Sequence, residues 1–272
     1  MLHKRIYFVT GKGGVGKTTL ALALAKQLQK SNRKVFYTSN DQKQNSYLCE
    51  QLNIPFILLG PLDSIEKYIA KKLNSQIIAS WITRAPFVRA IFQMLPGLES
   101  IVIIGELIDL LKRDPEITIV FDMPSSGHTT TLFESIINFK EIFSPGVLAS
   151  DLSEIWNFIS NRTISDILIS TIPTTMGLHE AIELKQSLLS LCSNFNVNII
   201  LNLALAPSLQ KHDDNLPPFL IEKIRLEKEV AQENIAAITT QIPFVFSSST
   251  LDIIQEIADK IELAKDHNGE CQ

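Results

Sequence analysis

The chain has 272 residues, 45% hydrophobic and 20% charged, with 25 Lys and Arg against 29 Asp and Glu for a formal net charge of −4. That mix excludes wholesale disorder, and a chain this long buries enough surface to fold without a metal or disulfide staple. Mild acidity with no dense Lys/Arg block argues against a job built on neutralising nucleic-acid phosphates.

No run reaches the ~18–20 apolar residues that a membrane span needs. The most apolar stretch, Ile101 to Leu111, is interrupted by Glu106 and Asp109. The apolar run Ile6 to Val9 is too short for a secretory leader. Three cysteines, Cys49, Cys192 and Cys271, are odd in number and far apart. That pattern predicts reduced thiols in a cytoplasm and forms no metal motif.

Along the chain, short β-branched or aromatic runs alternate with helical patterns. Strands are expected at Arg5–Thr10, Lys34–Ser39, Phe56–Leu59, Ile117–Phe121, Ile167–Thr171, Val197–Leu203 and Pro243–Phe246. Several are apolar on both faces, as strands of a parallel sheet covered on both sides are. The first helix, Thr18–Lys30, repeats Leu20, Leu24 and Leu28 every four residues and places Lys26 and Lys30 at the negative end of its dipole. Two stretches, about 61–97 and 129–165, are helical in pattern with no convincing strand, and hold both tryptophans, Trp81 and Trp156. The segment Ile221–Ile238 reads as an exposed amphipathic helix, Leu251–Leu263 as an acidic one, and the tail from Asp266 as frayed. His212-Asp213-Asp214, before Pro217-Pro218, reads as a solvated loop. Together these predict an α/β class, a doubly wound, mostly parallel sheet in one domain over 1–272, with the two helical stretches inserted as a layer.

Between the first strand and first helix stands Gly11-Lys12-Gly13-Gly14-Val15-Gly16-Lys17-Thr18-Thr19, which satisfies G-x-x-x-x-G-K-[ST] in its strand–loop–helix context. Four of the chain's 11 glycines lie between positions 11 and 16. Glycines let backbone N–H groups converge on phosphate oxygens, and the helix N-terminus adds partial positive charge. Lys17 supplies a full charge between the β- and γ-phosphates, and the Thr18 hydroxyl is placed to ligate Mg²⁺. Asp122, where the run Ile117–Phe121 ends, is the carboxylate expected to hold the Mg²⁺ hydration shell.

Lys12 is not needed to cradle phosphate within one subunit. The run Gly11–Thr19 resembles the deviant phosphate loop of dimeric ATPases, including the ParA/MinD, nitrogenase-iron-protein and ArsA types. Asp122-Met-Pro-Ser-Ser-Gly-His-Thr129 and Leu95-Pro-Gly-Leu-Glu-Ser100 resemble the D-T-A-P-T-G-H-T switch and P-G-x-x-E segment of ArsA-type ATPases. That group includes arsenite-pump subunits and the targeting factor for tail-anchored membrane proteins. The resemblance implies that Lys12 reaches across a dimer to the partner's nucleotide, as an arginine finger does. It further implies that Asp41 polarises the attacking water, that Asn45 is the switch asparagine, that Asn202 hydrogen-bonds adenine and that Pro243 lies near the base. His128 belongs to the G-H-T segment, with a phosphate role or a capping role both open.

The chain departs from that pattern in places. Gln42, Lys43 and Gln44 stand where the family has P-A-H. There is no C-x-x-C for a zinc clasp, no tandem duplication, and no cysteine in the helical stretches where arsenite would bind. Of four methionines only Met94 lies in those stretches; Phe87, Ile91, Phe92, Ile136, Phe139, Phe143, Ile155 and Phe158 supply their apolar character. These side chains form a core between helices and sheet, a surface for one protein partner, or an adaptable groove for many membrane segments. What the resemblance implies is a cytoplasmic Mg²⁺-dependent ATPase, a homodimer closed by ATP, that couples nucleotide state to a protein partner held by the helical layer. No nucleic acid and no integral membrane segment enter that reading. Two alternatives remain: a ParA/MinD-like positioning ATPase, and a weakly hydrolysing nucleotide-dependent scaffold.

Overall fold

Six strands make one all-parallel sheet in the order β2-β3-β1-β4-β5-β6. They are β1 (Ile6–Gly11), β2 (Lys34–Ser39), β3 (Ile117–Asp122), β4 (Ser165–Thr171), β5 (Val197–Ala204) and β6 (Ile238–Pro243). The computed structural model describes residues 4–39, 42–86, 90, 94, 95, 97–209 and 216–261, without the side chains of Gln42, Lys43, Ser126 and His128. Every residue of β1, β3 and β4 is buried. Successive strand side chains point to opposite faces, so each strand feeds two cores. Ile6, Phe8, Ile119, Phe121, Ile167 and Ile169 enter one, while Tyr7, Val9, Val120 and Leu168 enter the other. This two-sided burial is why the strands read as continuous apolar runs.

The first core is covered by α5 (Leu98–Arg113), α6 (Ser126–Ile142), α7 (Val147–Ile159) and α8 (Thr175–Leu191). The second is covered by α1 (Lys17–Lys30) and α11 (Thr250–Lys260). Beyond Thr18 and Thr19, α1 is built from Ala, Leu, Lys and Gln, strong helix formers, and it ends where Asn32 turns to a left-handed φ of 59°. Its Leu20, Leu24 and Leu28 are all buried, each contributing about 2 kcal/mol. The other helices are α2 (Gln42–Leu52), α3 (Pro61–Leu73), α4 (Gln76–Arg84), α9 (Leu205–Leu209) and α10 (Pro218–Glu233).

Three expectations need correction. Phe56–Leu59 is not a strand but a single parallel bridge, Tyr37 to Phe56. Pro55 and Pro61 bracket the run, and Pro61 opens α3, which leaves no length for a ladder. The last strand is Ile238–Pro243 rather than Pro243–Phe246. Proline has no N–H to continue pairing, and the helix expected to run to Ile238 stops at Glu233, which frees Ile238 to open the strand. The stretch 129–165 breaks between α6 and α7, and its final residue already belongs to β4.

The helical layer extends further than expected, because α5 joins α3 and α4 in it. Its inner face is core: Ile136 and Phe139 are buried, and Trp156 packs on Phe195 with ring centroids 5.4 Å apart. Its outer face exposes Trp81 and Phe143. Phe87, Ile91, Phe92, His212 to Asp214 and the tail from Glu262 lie outside the described residues.

Candidate nucleotide-binding site

β1 sits inside the sheet, and the connections on its two sides run apart. The chain leaves β1 for β2 on one edge and later crosses from β3 to β4 on the other side. Strand order that reverses in this way leaves a crevice at the carboxyl ends of the strands. The loop Gly11–Gly16 lies in that crevice and passes directly into α1.

Packing explains two of the glycines. Gly11 has φ +142°, and a Cβ there would lie 2.1 Å from the Ser170 carbonyl oxygen. Gly16 has φ +79°, and a Cβ there would lie 2.5 Å from Asn202 Nδ2. At Gly13 and Gly14 a Cβ would meet nothing within 4 Å, so that side of the loop is open. The Val15 carbonyl accepts hydrogen bonds from Ser170 Oγ at 3.1 Å and Asn202 Nδ2 at 2.9 Å. β4 and β5 therefore brace the loop from behind, while the first N–H groups of α1, which have no partner within the helix, face the crevice. Gly11→Ala should destabilise the protein by about 1–3 kcal/mol, since both φ and space forbid the methyl. A thermal midpoint equal to the parent's would contradict this bracing.

The front of the site is a cavity of about 400 Å³ lined by Lys17, Thr18, Thr19, Ser39, Gln44, Asn45 and Asp122 among others. Thr18 Oγ1 donates to Asp122 Oδ2 at 2.6 Å, and Tyr37 donates its hydroxyl to the same oxygen at 3.0 Å. A hydroxyl beside a buried carboxylate is the all-oxygen donor set that Mg²⁺ takes, so these residues fit that ion. Lys17 Nζ donates to the Lys12 carbonyl at 2.9 Å. Burial pushes its pKa down, and the Asp122 charge opposes the shift. Lys12 points out of the cavity and is ion-paired with Glu180 on α8, both side chains being exposed. Asn45 donates its amide to Ser39 Oγ at 2.9 Å.

The structure places Lys17, Thr18, Thr19 and Asp122 on one cavity, with Gly11 at the start of the loop behind it. Asn202 is buried beneath the loop, its Nδ2 committed to Val15 and its Oδ1 buried with no hydrogen-bond partner among the described residues. Pro243 ends β6 opposite Ala204, two residues from Asn202. Asp41 lies outside the described residues, as does the His128 side chain.

Several contacts were missed by reading the sequence: Tyr37 on Asp122, Ser170 on Val15, Glu180 on Lys12, and the buried pair Thr10 Oγ1 and Thr129 Oγ1 at 2.6 Å. Only Ser170 left a signal, a hydroxyl directly after the apolar run Ile167–Ile169 near the end of its strand. The Thr10–Thr129 bond ties β1 to the helix that carries the Gly127-His128-Thr129 segment.

Residues 3–138, half of the chain, match the AAA-domain family. The chain belongs to that family of ATPases. It is 26% identical over 278 residues to an "ATPase ASNA1 homolog" of Plasmodium vivax, covering 93% of this chain and 69% of that one. It is 26% identical over 208 residues to "ATPase get3" of Neurospora crassa, covering 71% and 59%. It is 32% identical over 133 residues to an "ATPase ASNA1 homolog" of Plasmodium berghei, covering 46% and 35%. The chain therefore spans between about a third and about two thirds of the length of these relatives. They bear out the resemblance to ArsA-type ATPases. Among the described residues no helix is long and apolar enough to cross a membrane.

Proposed function

We propose that this ATPase binds Mg-ATP in the crevice above Gly11–Thr19 and hydrolyses it in a homodimer closed by the nucleotide. The observation that carries the reading is the Thr18–Asp122 pair, 2.6 Å apart, beside Lys17 and the open glycine loop. The loop N–H groups and Lys17 would grip the phosphates, and Thr18 and Asp122 would hold Mg²⁺, Asp122 through water. Bound Mg²⁺ supplies charge neutralisation on the transferring phosphoryl group. Asp41 orients the attacking water, a role that rests on the ArsA-type switch pattern. Asn202 acts here as a brace for the loop as well as a candidate contact for adenine, with Pro243 beside it.

Lys12 serves the partner's nucleotide in trans. To do so it leaves Glu180. An exposed ion pair contributes only about 0–1 kcal/mol, so this exchange is easy. The helical layer offers the partner surface: α4 exposes Ile77, Ile78 and Trp81 by 72%, 50% and 76%. A large apolar patch on one helix face fits a protein partner in a cytoplasm.

Light scattering with Mg²⁺ and a non-hydrolysable ATP analogue tests the dimer. The mass should double from 30.4 kDa with the analogue and stay single without it. Lys12→Ala should lower turnover by about 10³. A mass unchanged by the analogue, or full turnover in Lys12→Ala, removes the trans role.

A further inference from the structure

Away from the nucleotide crevice, the helical layer holds a cavity of about 630 Å³ roofed by α3 and floored by α5, α7 and the end of α6. Ile65 and Ile69 line the roof, and Ile101, Val102, Leu152 and Ile155 line the floor. Protein interiors are close-packed, with few voids larger than a water molecule. An apolar space of this size falls in the ~300–1,000 Å³ range of small-ligand sites.

Its shape argues against a polypeptide helix as occupant. α3 is strapped to both walls. On one side Ser64 and Lys67 reach Glu106, and Lys71 pairs with Asp109 at 2.8 Å. On the other, Tyr68 donates to Asp151 at 2.7 Å and Lys72 pairs with the same carboxylate at 2.7 Å. A 20-residue helix, ~30 Å long and ~10 Å across, is several times larger than the cavity and would break every strap. A single hydrocarbon chain would fit beneath α3 with all of them kept.

The rim identifies the other end of the ligand. Five cations line the cavity: Lys67, Lys71, Lys72, Lys112 and Arg113. The four lysines are paired with Glu106, Asp109, Asp151 and Glu154. Those four carboxylates also line the cavity, so the lysine charges are balanced; Arg113, at the exposed end of α5, is the lining cation with no hydrogen-bond or ion-pair partner among the described residues. Its planar guanidinium matches a carboxylate bidentately. We propose that this cavity binds a long-chain fatty carboxylate, with its hydrocarbon beneath α3 and its head group on Arg113. This site is independent of the nucleotide reading and of the outer face of α4.

The test displaces a fluorescent fatty acid from the purified full chain with palmitate, with hexadecanol of the same chain length, and with a 20-residue apolar helical peptide. Palmitate should displace the probe. Arg113→Gln should weaken palmitate about tenfold or more and leave hexadecanol unchanged. Val102→Trp should abolish binding of both at unchanged ATP turnover and thermal midpoint, with Ile69→Phe as the second blocking variant if Val102→Trp melts early. The proposal fails if palmitate displaces nothing at its solubility limit, if Arg113→Gln binds palmitate like the parent, or if the peptide displaces the probe as well as palmitate does.

Discussion

Lys17→Ala should lower ATP turnover by roughly 10²–10³ with the fold intact. Phosphoryl transfer asks the protein for positioning and charge rather than covalent chemistry, and Lys17 is the full positive charge at the mouth of the glycine loop. Its ammonium already sits where burial disfavours it, held by the Lys12 carbonyl at 2.9 Å and by the field of Asp122. A phosphate is a stronger partner for that ammonium than a neutral carbonyl, so the group is poised to transfer to ligand. Lys17→Arg should not rescue turnover, because a planar fork cannot occupy the space of a point charge. Phosphate release and ATP titration calorimetry read the effect, while the thermal midpoint should hardly move because the side chain makes one hydrogen bond. Turnover within a few-fold of the parent in Lys17→Ala would place the chemistry elsewhere.

The second large effect lies at the opposite end of the sheet. Asp166 on β4 is fully buried next to Tyr7, accepts a hydrogen bond from Asn198 Nδ2 at 2.7 Å on Oδ1, and has no hydrogen-bond partner at Oδ2 among the described residues. Burial raises its pKa to about 7, opposed by the Asn198 hydrogen bond and by the charge of Lys4. A folded-state pKa above the unfolded value means that this group stabilises the fold fully below about pH 4. That contribution is lost as pH rises through about 7. Between pH 5 and pH 8 the loss is about 3 kcal/mol. Asp166→Asn removes the titration, so its stability relative to the parent should rise by about that amount over the same window. Urea unfolding at pH 5, 6.5 and 8 checks the sign. Parallel stability profiles for parent and variant would mean that the carboxyl ionises freely in the folded chain.

How far the site was legible depended on how local each part is. Gly11 to Thr18 could be read because the loop's chemistry depends on backbone freedom and on a helix start, both written in eight consecutive residues. Asp122 could be read because a carboxylate ending an apolar run has one plausible use beside such a loop. Tyr37 could not, since its hydroxyl meets Asp122 only because β2 pairs with β3 in register. Asn202 shows the same limit: family pattern pointed it at adenine, while its amide holds Val15, 187 residues earlier. The missed start of β6 had another cause, since Ile238 to Gln241 is half exposed and its alternation was overrun by the charged helix before it.

What the amino-acid order determined by itself is the phosphate loop, the strand–helix alternation and the parallel sheet, because each follows from backbone preference and from the period of apolar residues. Tertiary structure decided which distant groups brace that loop, where Lys12 rests against Glu180, and that α3 roofs a cavity strapped to α5 and α7. Those outcomes depend on the strand order β2-β3-β1-β4-β5-β6 and on which helices share a face. Such contacts arise from global packing, to which no short window of sequence responds.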